Sequence, residues 1–188
     1  IMTLQFKIQL KGMTKPPIWR KVHVPAHFSF EKFHSVIQAA FGWDNSHLFM
    51  FSPNGYRSSP QILNPGYSDW DGNEILNSKK IKLSQFFKTK GQKFTYIYDF
   101  GDDWIHIITL EDVNKMDSKN AVLISGKGAC PPEDCGGIWG YYNLLEVIED
   151  PQHEEYEEMR EWLGLKEGEQ WDQNHFDQEA AIKAVASI

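Results

Sequence analysis

Apolar and polar positions alternate strictly over Leu4–Leu10, L-Q-F-K-I-Q-L, so a half-buried strand with Leu4, Phe6, Ile8 and Leu10 inward is predicted. Ile18–Pro25 alternates too, with Ile18, Arg20, Val22 and Val24 on one face and Trp19, Lys21 and His23 on the other. Pro25 ends it, and the turn-rich stretch from Gly12 to Pro17 makes the two runs a hairpin. The period then changes. Phe30, Phe33, Ile37, Ala40 and Phe41 fall at helical spacing behind Ser29, whose hydroxyl suits an N-cap, and ahead of Gly42, which suits the residue past the C-cap. Phe28 and Phe33 have the spacing of a hydrophobic staple.

His47–Phe51 reads as a short strand, Ile81–Phe87 as a helical turn, and Phe94–Phe100 and Trp104–Glu111 as two strands around a turn. Residues 52–80, rich in Ser, Pro, Asn, Gly and Asp, read as an irregular insertion, and Asn114–Asn120 as a loop. The stretch GKGACPPEDCGGIWGYY has the composition of a fixed irregular loop. Tyr142–Glu149, Glu154–Leu163 and Asp177–Ala186 read as helices punctuated by Pro151 and Gly164. This order predicts an α+β fold: a mixed or antiparallel sheet with one helix packed across it, a β-grasp-like core, and C-terminal helices. The organisation expected is a single domain over 1–188, with a core over 1–140 and an acidic helical extension over 141–188.

Charge sharpens that division. Residues 141–188 carry 13 Asp/Glu against 3 Lys/Arg, whereas residues 1–140 carry 13 against 16, so −10 and +3 make up the net −7. The first part tolerates an anionic partner and the tail repels nucleic acid. No run approaches the roughly 18 apolar residues of a membrane span, no signal-peptide pattern is present, and two Cys give no disulfide framework. A cytoplasmic protein with no membrane association is the expectation.

The chemistry-bearing stretch is YDFGDDWIH, residues 98–106. A two-residue Gly101-Asp102 turn sets Asp99 opposite Trp104 and Asp99 diagonal to His106, a geometry for an Asp–His site. A three-residue turn sets Tyr98 opposite His106 and moves Asp99 to the other face. A second acidic pair, Glu133 and Asp134, sits between prolines and glycines. Carboxylates with one histidine suit a divalent cation, so Asp99, His106, Glu133 and Asp134 are the candidate ligands. Cys130 and Cys135, spaced C-x4-C with no second pair, need His47 or His106 to complete a zinc site. Arg20 is expected inward, where a buried cation calls for a carboxylate such as Asp99, Glu133 or Asp134.

Phosphate loops, nucleophile elbows, H-E-x-x-H and dinucleotide fingerprints are absent from the sequence. PPIWRKVHVP, FEKFHSVIQAAFGWDNSHLFMF, FTYIYDFGDDWIHIITLE and PPEDCGGIWGYYNLLEVIEDP, in this order, resemble the plasmid pRiA4b ORF-3-like family. The resemblance implies a protein of the mobile-element type without an established biochemical activity. The family often reads H-L-H where this chain has His47-Leu48-Phe49, and other small residues are common in it at Cys130. The leading expectation is a non-enzymatic binding domain with no cofactor or with a divalent metal. Its cleft would be lined by Trp19, Arg20, Asp99, Asp102, Trp104, His106, Glu133, Asp134 and Tyr141, with Trp43 as a further wall. Its partner would be a protein or a nucleic acid. The alternative is a metal-dependent hydrolase or nuclease in which Asp99, Asp102, Glu133 and Asp134 hold the cation and His106 is the general base.

Overall fold

The computed structural model describes residues 2–64, 66, 72–115 and 119–188. The alternating N-terminal run forms β1 (Met2–Thr14), which pairs antiparallel with β2 (Pro17–Pro25) from Thr3↔Pro25 to Gln9↔Trp19. The helix α1 (Phe30–Phe41) follows, with the Ser29 hydroxyl accepting from Lys32 N and Gly42 at φ +97 donating its N–H to Gln38 O. The left-handed φ is the reason a glycine stands there.

Then come β3 (Phe49–Ser52), β4 (Gln61–Leu63), β5 (Ile75–Asn77), the turn α2 (Leu83–Phe86), β6 (Lys93–Tyr98), β7 (Trp104–Lys115) and β8 (Val122–Lys127). Three helices end the chain: α3 (Gly137–Glu149), α4 (Tyr156–Trp162) and α5 (Gln178–Ala186). Among the described residues the strands form one mixed, eight-stranded sheet in the order β5-β4-β3-β6-β7-β1-β2-β8, with β4 and β5 the parallel pair. The hairpin-then-helix order behind the β-grasp-like expectation is present, within this larger sheet.

Four expectations are corrected. The insertion over 52–80 is not wholly irregular, because it carries β4 and β5; residues 65 and 67–71 lie outside the described set. β7 runs to Lys115, so the loop expected from Asn114 begins later; residues 116–118 are outside the described set. β8 was not expected at all. Its V-L-I-S-G-K sequence has little periodicity, and it is a strand because β2 offers it an edge. Finally, α3 starts at Gly137, inside the stretch read as irregular.

One face of the sheet is the core. Leu4, Phe6, Ile8, Val22, Phe51, Tyr96, Trp104, Ile108 and Leu110 are fully buried there with Phe30, Phe33, Val36 and Ile37 of α1. Ala181 and Val185 of α5 and Leu144 of α3 join the same cluster. Phe6, Phe33, Phe87 and Phe94 make tilted and edge-on ring contacts of about 5 Å, the geometry aromatic quadrupoles favour.

Arg20 is inward, as the alternation requires, but it pairs with no carboxylate among the described residues. Its Nε donates to Ala40 O at 2.8 Å, Nη1 to Trp19 O and Lys127 O, and Nη2 to Gly128 O. The guanidinium lies 3.7 Å from the Phe176 ring centroid and 4.9 Å from that of Phe41. Ala40 is in the last turn of α1, where the helix dipole favours a cation. A planar donor fork thus takes four carbonyls in place of an acid, tying α1, β2 and the end of β8 together.

Candidate metal centre

The register of the β6–β7 hairpin decides where the acidic turn points. Tyr98 pairs with Trp104, Ile97 with Ile105 and Tyr96 with His106, so the loop is Asp99–Asp103, longer than either expected turn. Gly101 does not supply the left-handed residue; Asp99 (φ +58) and Asp103 (φ +54) do. Aspartate tolerates that region through local hydrogen bonds. Asp99 Oδ1 accepts from Gly101 N at 2.9 Å, and Asp103 N donates to Asp99 O. Asp99 N donates to Leu48 O at 2.8 Å, which sets the turn beside the entry to β3.

That contact brings His47 to Asp99. The imidazole Nε2 of His47 lies 2.9 Å from Asp134 Oδ1, 3.6 Å from Asp99 Oδ2 and 3.8 Å from Glu133 Oε2. Its ring stands edge-on to Tyr98. Glu133 is fixed through its other oxygen, Oε1, which accepts from Asp44 N at 2.7 Å and from Tyr98 Oη at 3.0 Å. Burial and this carboxylate push the Tyr98 phenol up to about 12, so it stays a donor.

Two atoms facing this space, His47 Nε2 and Glu133 Oε2, are shielded from solvent and make no hydrogen bond of good geometry. Nε2 is close to Asp134, yet the contact is not aligned as a hydrogen bond. One ligand atom each from His47, Asp99 and Asp134 lie within 4.8 Å of one another. Ligands held about 2.0–2.2 Å from a common ion lie at most about 4 Å apart, so small adjustments, some closing and the His47–Asp134 pair opening, would form a coordination shell. One imidazole and three carboxylates match a borderline divalent cation such as Mn²⁺ or Zn²⁺ better than an all-oxygen Ca²⁺ cage. The Asp134 side chain is 69% exposed and gives the group an open side.

The second loop is pinned to the first by close backbone approach. A Cβ on Gly137 (φ +67) would sit 2.3 Å from Asp102 O. Asp102 Oδ2 also accepts from Gly136 N at 3.1 Å. Gly137→Ala is therefore expected to lower stability by about 1–3 kcal/mol through overpacking and left-handed strain, read as a fall in the urea midpoint. A variant as stable as wild type would mean that the loop moves off the turn without cost.

Of the residues the sequence singled out, the structure brings Asp99, Glu133 and Asp134 together and excludes several others. His106 is fully buried on the core face, where Trp43 Nε1 donates to its Nε2 at 3.4 Å. Burial, with the Arg20 cation nearby, holds it down to about 3. It is neither a ligand nor an accessible base, and the histidine of the group is His47. Asp102 caps Gly136, and Asp103 accepts from Tyr56 Oη. Trp104 and Tyr141 are fully buried core residues, and the Tyr141 hydroxyl accepts from Trp171 Nε1. Trp43 packs on Trp104 and Tyr98 instead of lining a cleft. Trp19 lies on the opposite face of the sheet, and Arg20 is held as described above. Cys130 and Cys135 are free thiols raised by burial, Cys135 to about 12, and so are poor thiolate ligands.

His47 is the residue that sequence reasoning underweighted. The signal was its place just before β3, but it becomes legible only once Phe49↔Tyr98 pairing is known, since that register sets residues 47–48 against Asp99.

Among proteins of known sequence, the chain is 35% identical over 156 residues to the uncharacterized protein y4hQ of Sinorhizobium fredii (strain NBRC 101917 / NGR234), an alignment covering 80% of this chain and 75% of that protein. Among solved structures it is similar to the crystal structure of a protein of unknown function, MM3350 of Methanosarcina mazei Go1, with a TM-score of 0.80 and 35% identity over 95% of this chain and 96% of that one. Neither name carries an activity. The described helices include none long and apolar enough to cross a membrane. The family model of the plasmid pRiA4b ORF-3-like protein matches residues 2–180, a span holding both the acidic turn and the Glu133-Asp134 loop, and this chain belongs to that family.

Proposed function

We propose that this protein is a cytoplasmic, non-enzymatic binding domain organised by a divalent cation held by His47, Asp99, Glu133 and Asp134. The observation that supports this most is the pair of solvent-shielded, unsatisfied atoms, His47 Nε2 and Glu133 Oε2, facing two further carboxylates. Buried polar atoms without partners are costly, and a cation satisfies all of them at once. The ligands come from the entry to β3, the β6–β7 turn and the loop before α3. A bound cation fixes these loops relative to one another and leaves the Asp134 side open for a partner. Binding is favoured over hydrolysis because the histidine expected to serve as base, His106, is sealed in the core. The two free thiols fit a reducing compartment.

Titration calorimetry with Mn²⁺, Zn²⁺ and Mg²⁺ tests the reading. Wild type is expected to bind Mn²⁺ or Zn²⁺ more tightly than Mg²⁺, with Asp99→Asn and His47→Ala each at least tenfold weaker, about 1.4 kcal/mol. If wild type binds none of the three, or if both variants bind as wild type does, His47 is simply an imidazole among carboxylates and the proposal fails.

A further inference from the structure

Helices α1 and α5 pack on the core face of the sheet, while the opposite face of β6, β7, β1, β2 and β8 has no helix across it among the described residues. The strand registers lay its side chains out in rows. One row reads Lys93, Thr109, Lys7, Lys21, Ser125 and the next Thr95, Ile107, Gln9, Trp19, Lys127. Lys11 follows on β1 and, with Lys7, Gln9, Lys93, Ile107 and Thr109, lines a shallow hollow of about 330 Å³. All of these but Thr95 are half-buried or exposed. The acids on this side are Glu111, already bonded to Lys21 at 2.7 Å and to Gln5, Asp112, and at one end Asp102 and Asp103, which line an adjoining hollow with Lys11. Lys7 Nζ stands 5.2 Å from the centroid of the Trp19 ring.

We infer that this open face is a binding surface for single-stranded nucleic acid. The fit is one of charge and of shape. Lys7, Lys11, Lys93 and Lys127 supply cations for phosphates, and Trp19, among Gln9, Ile107 and Lys127, supplies a ring on which a base stacks. A flat sheet with an aromatic and basic face receives unstacked bases, whereas a duplex hides its bases from it. From β6 to β8 the rows cross four inter-strand gaps, about 19 Å, the scale of the shortest single-strand sites. The net charge of −7 does not oppose this. Its excess is in residues 141–188, none of which lines this hollow. Charge summed along the sequence hid this face, because lysines far apart in the chain meet only through strand pairing.

The test is fluorescence anisotropy of the full chain with a fluorescein-labelled oligothymidylate about 15 nucleotides long. Binding is expected at ~50 mM salt and is expected to fall roughly 50-fold by ~200 mM, the dependence for about four phosphate contacts on a single strand. Trp19→Ala is expected to weaken binding about tenfold, within the range of one stacked base. The double variant Lys7→Glu, Lys93→Glu, with its surface changes and unaltered far-UV circular dichroism, is expected to abolish binding. The Asp99→Asn variant is expected to bind the oligonucleotide as wild type does, which separates this surface from the cation site. No anisotropy change at ~50 mM salt, or equal binding by Trp19→Ala and by the double lysine variant, overturns the inference. Displacement by polyglutamate as readily as by unlabelled oligonucleotide also overturns it, by making the face a site for acidic peptides.

Discussion

Arg20→Met is expected to lower unfolding free energy by about 3–5 kcal/mol, read as a large fall in the urea midpoint at unchanged slope. Arg20 is 1% exposed, and its donors hold the carbonyls of Trp19, Ala40, Lys127 and Gly128. Buried ion pairs are often replaceable by apolar side chains of similar volume, because both charges leave together. Here the partners are main-chain oxygens and cannot leave, so methionine strands acceptors that each cost about 1–3 kcal/mol when buried alone. Burial lowers the guanidinium to about 10, still cationic at neutral pH. Lysine does not rescue, since three donors on a point charge cannot span carbonyls from α1, β2 and the end of β8. Phe176→Leu removes only the stacked ring and is expected to cost less. A midpoint for Arg20→Met equal to wild type would show that these carbonyls find other donors.

Acid is expected to be nearly as damaging. His34 is buried between Tyr96 Oη, 2.7 Å from Nδ1, and Asn45 Oδ1, 2.6 Å from Nε2. The Asn45 oxygen accepts, so the proton is on Nε2 and Nδ1 accepts from the tyrosine. Burial lowers His34 to about 4 and His106 to about 3. An unfolded histidine titrates near 6.5, so below that pH the unfolded chain takes up protons that the folded chain refuses. The stability is therefore complete above about pH 6.5 and is lost as pH falls toward 4 and then 3. At pH ~4.5 each histidine has contributed a loss on the order of 3 kcal/mol. Urea unfolding at pH ~7.5 and ~4.5 checks this, with a smaller loss expected for His106→Gln, which does not titrate. Equal losses in the two proteins would show that the carboxylates, and not the buried imidazoles, set the acid limit.

The parts of the fold that were legible in the sequence are those where one chain segment carries its own pattern. β1, β2 and α1 repeat at periods of 2 and 3.6, and Ser29 and Gly42 mark the helix ends by local chemistry. β8 was not legible because its reason for being a strand lies in β2: Gly126 is a glycine because a Cβ there would meet the Phe176 ring at 2.5 Å and Arg20 at 2.8 Å. The hairpin turn misled for a related reason. A turn of two or three residues around Gly101 was expected, yet the loop runs from Asp99 to Asp103 and these two take the left-handed conformation, supported by hydrogen bonds to Leu48 and from Tyr56 outside the hairpin. The acidic members of the candidate site were visible as composition. Its histidine was visible only as a possible partner for the two cysteines, because 47 and 99 become neighbours through strand pairing alone.

The central place of β1 has a kinetic consequence. Its partner β7 lies about a hundred residues away in the chain, from Met2↔Lys115 to Leu10↔His106. During synthesis β1 therefore waits for about a hundred further residues before one of its two edges is covered. During that time the Leu4, Phe6, Ile8 and Leu10 face is covered by the β2 hairpin, α1 and the segments up to β6, without β7. Non-local closure of this kind is slow, and an apolar hairpin with a free edge is the species most open to pairing with other chains. Yield at high expression should accordingly depend on how fast β7 arrives at β1.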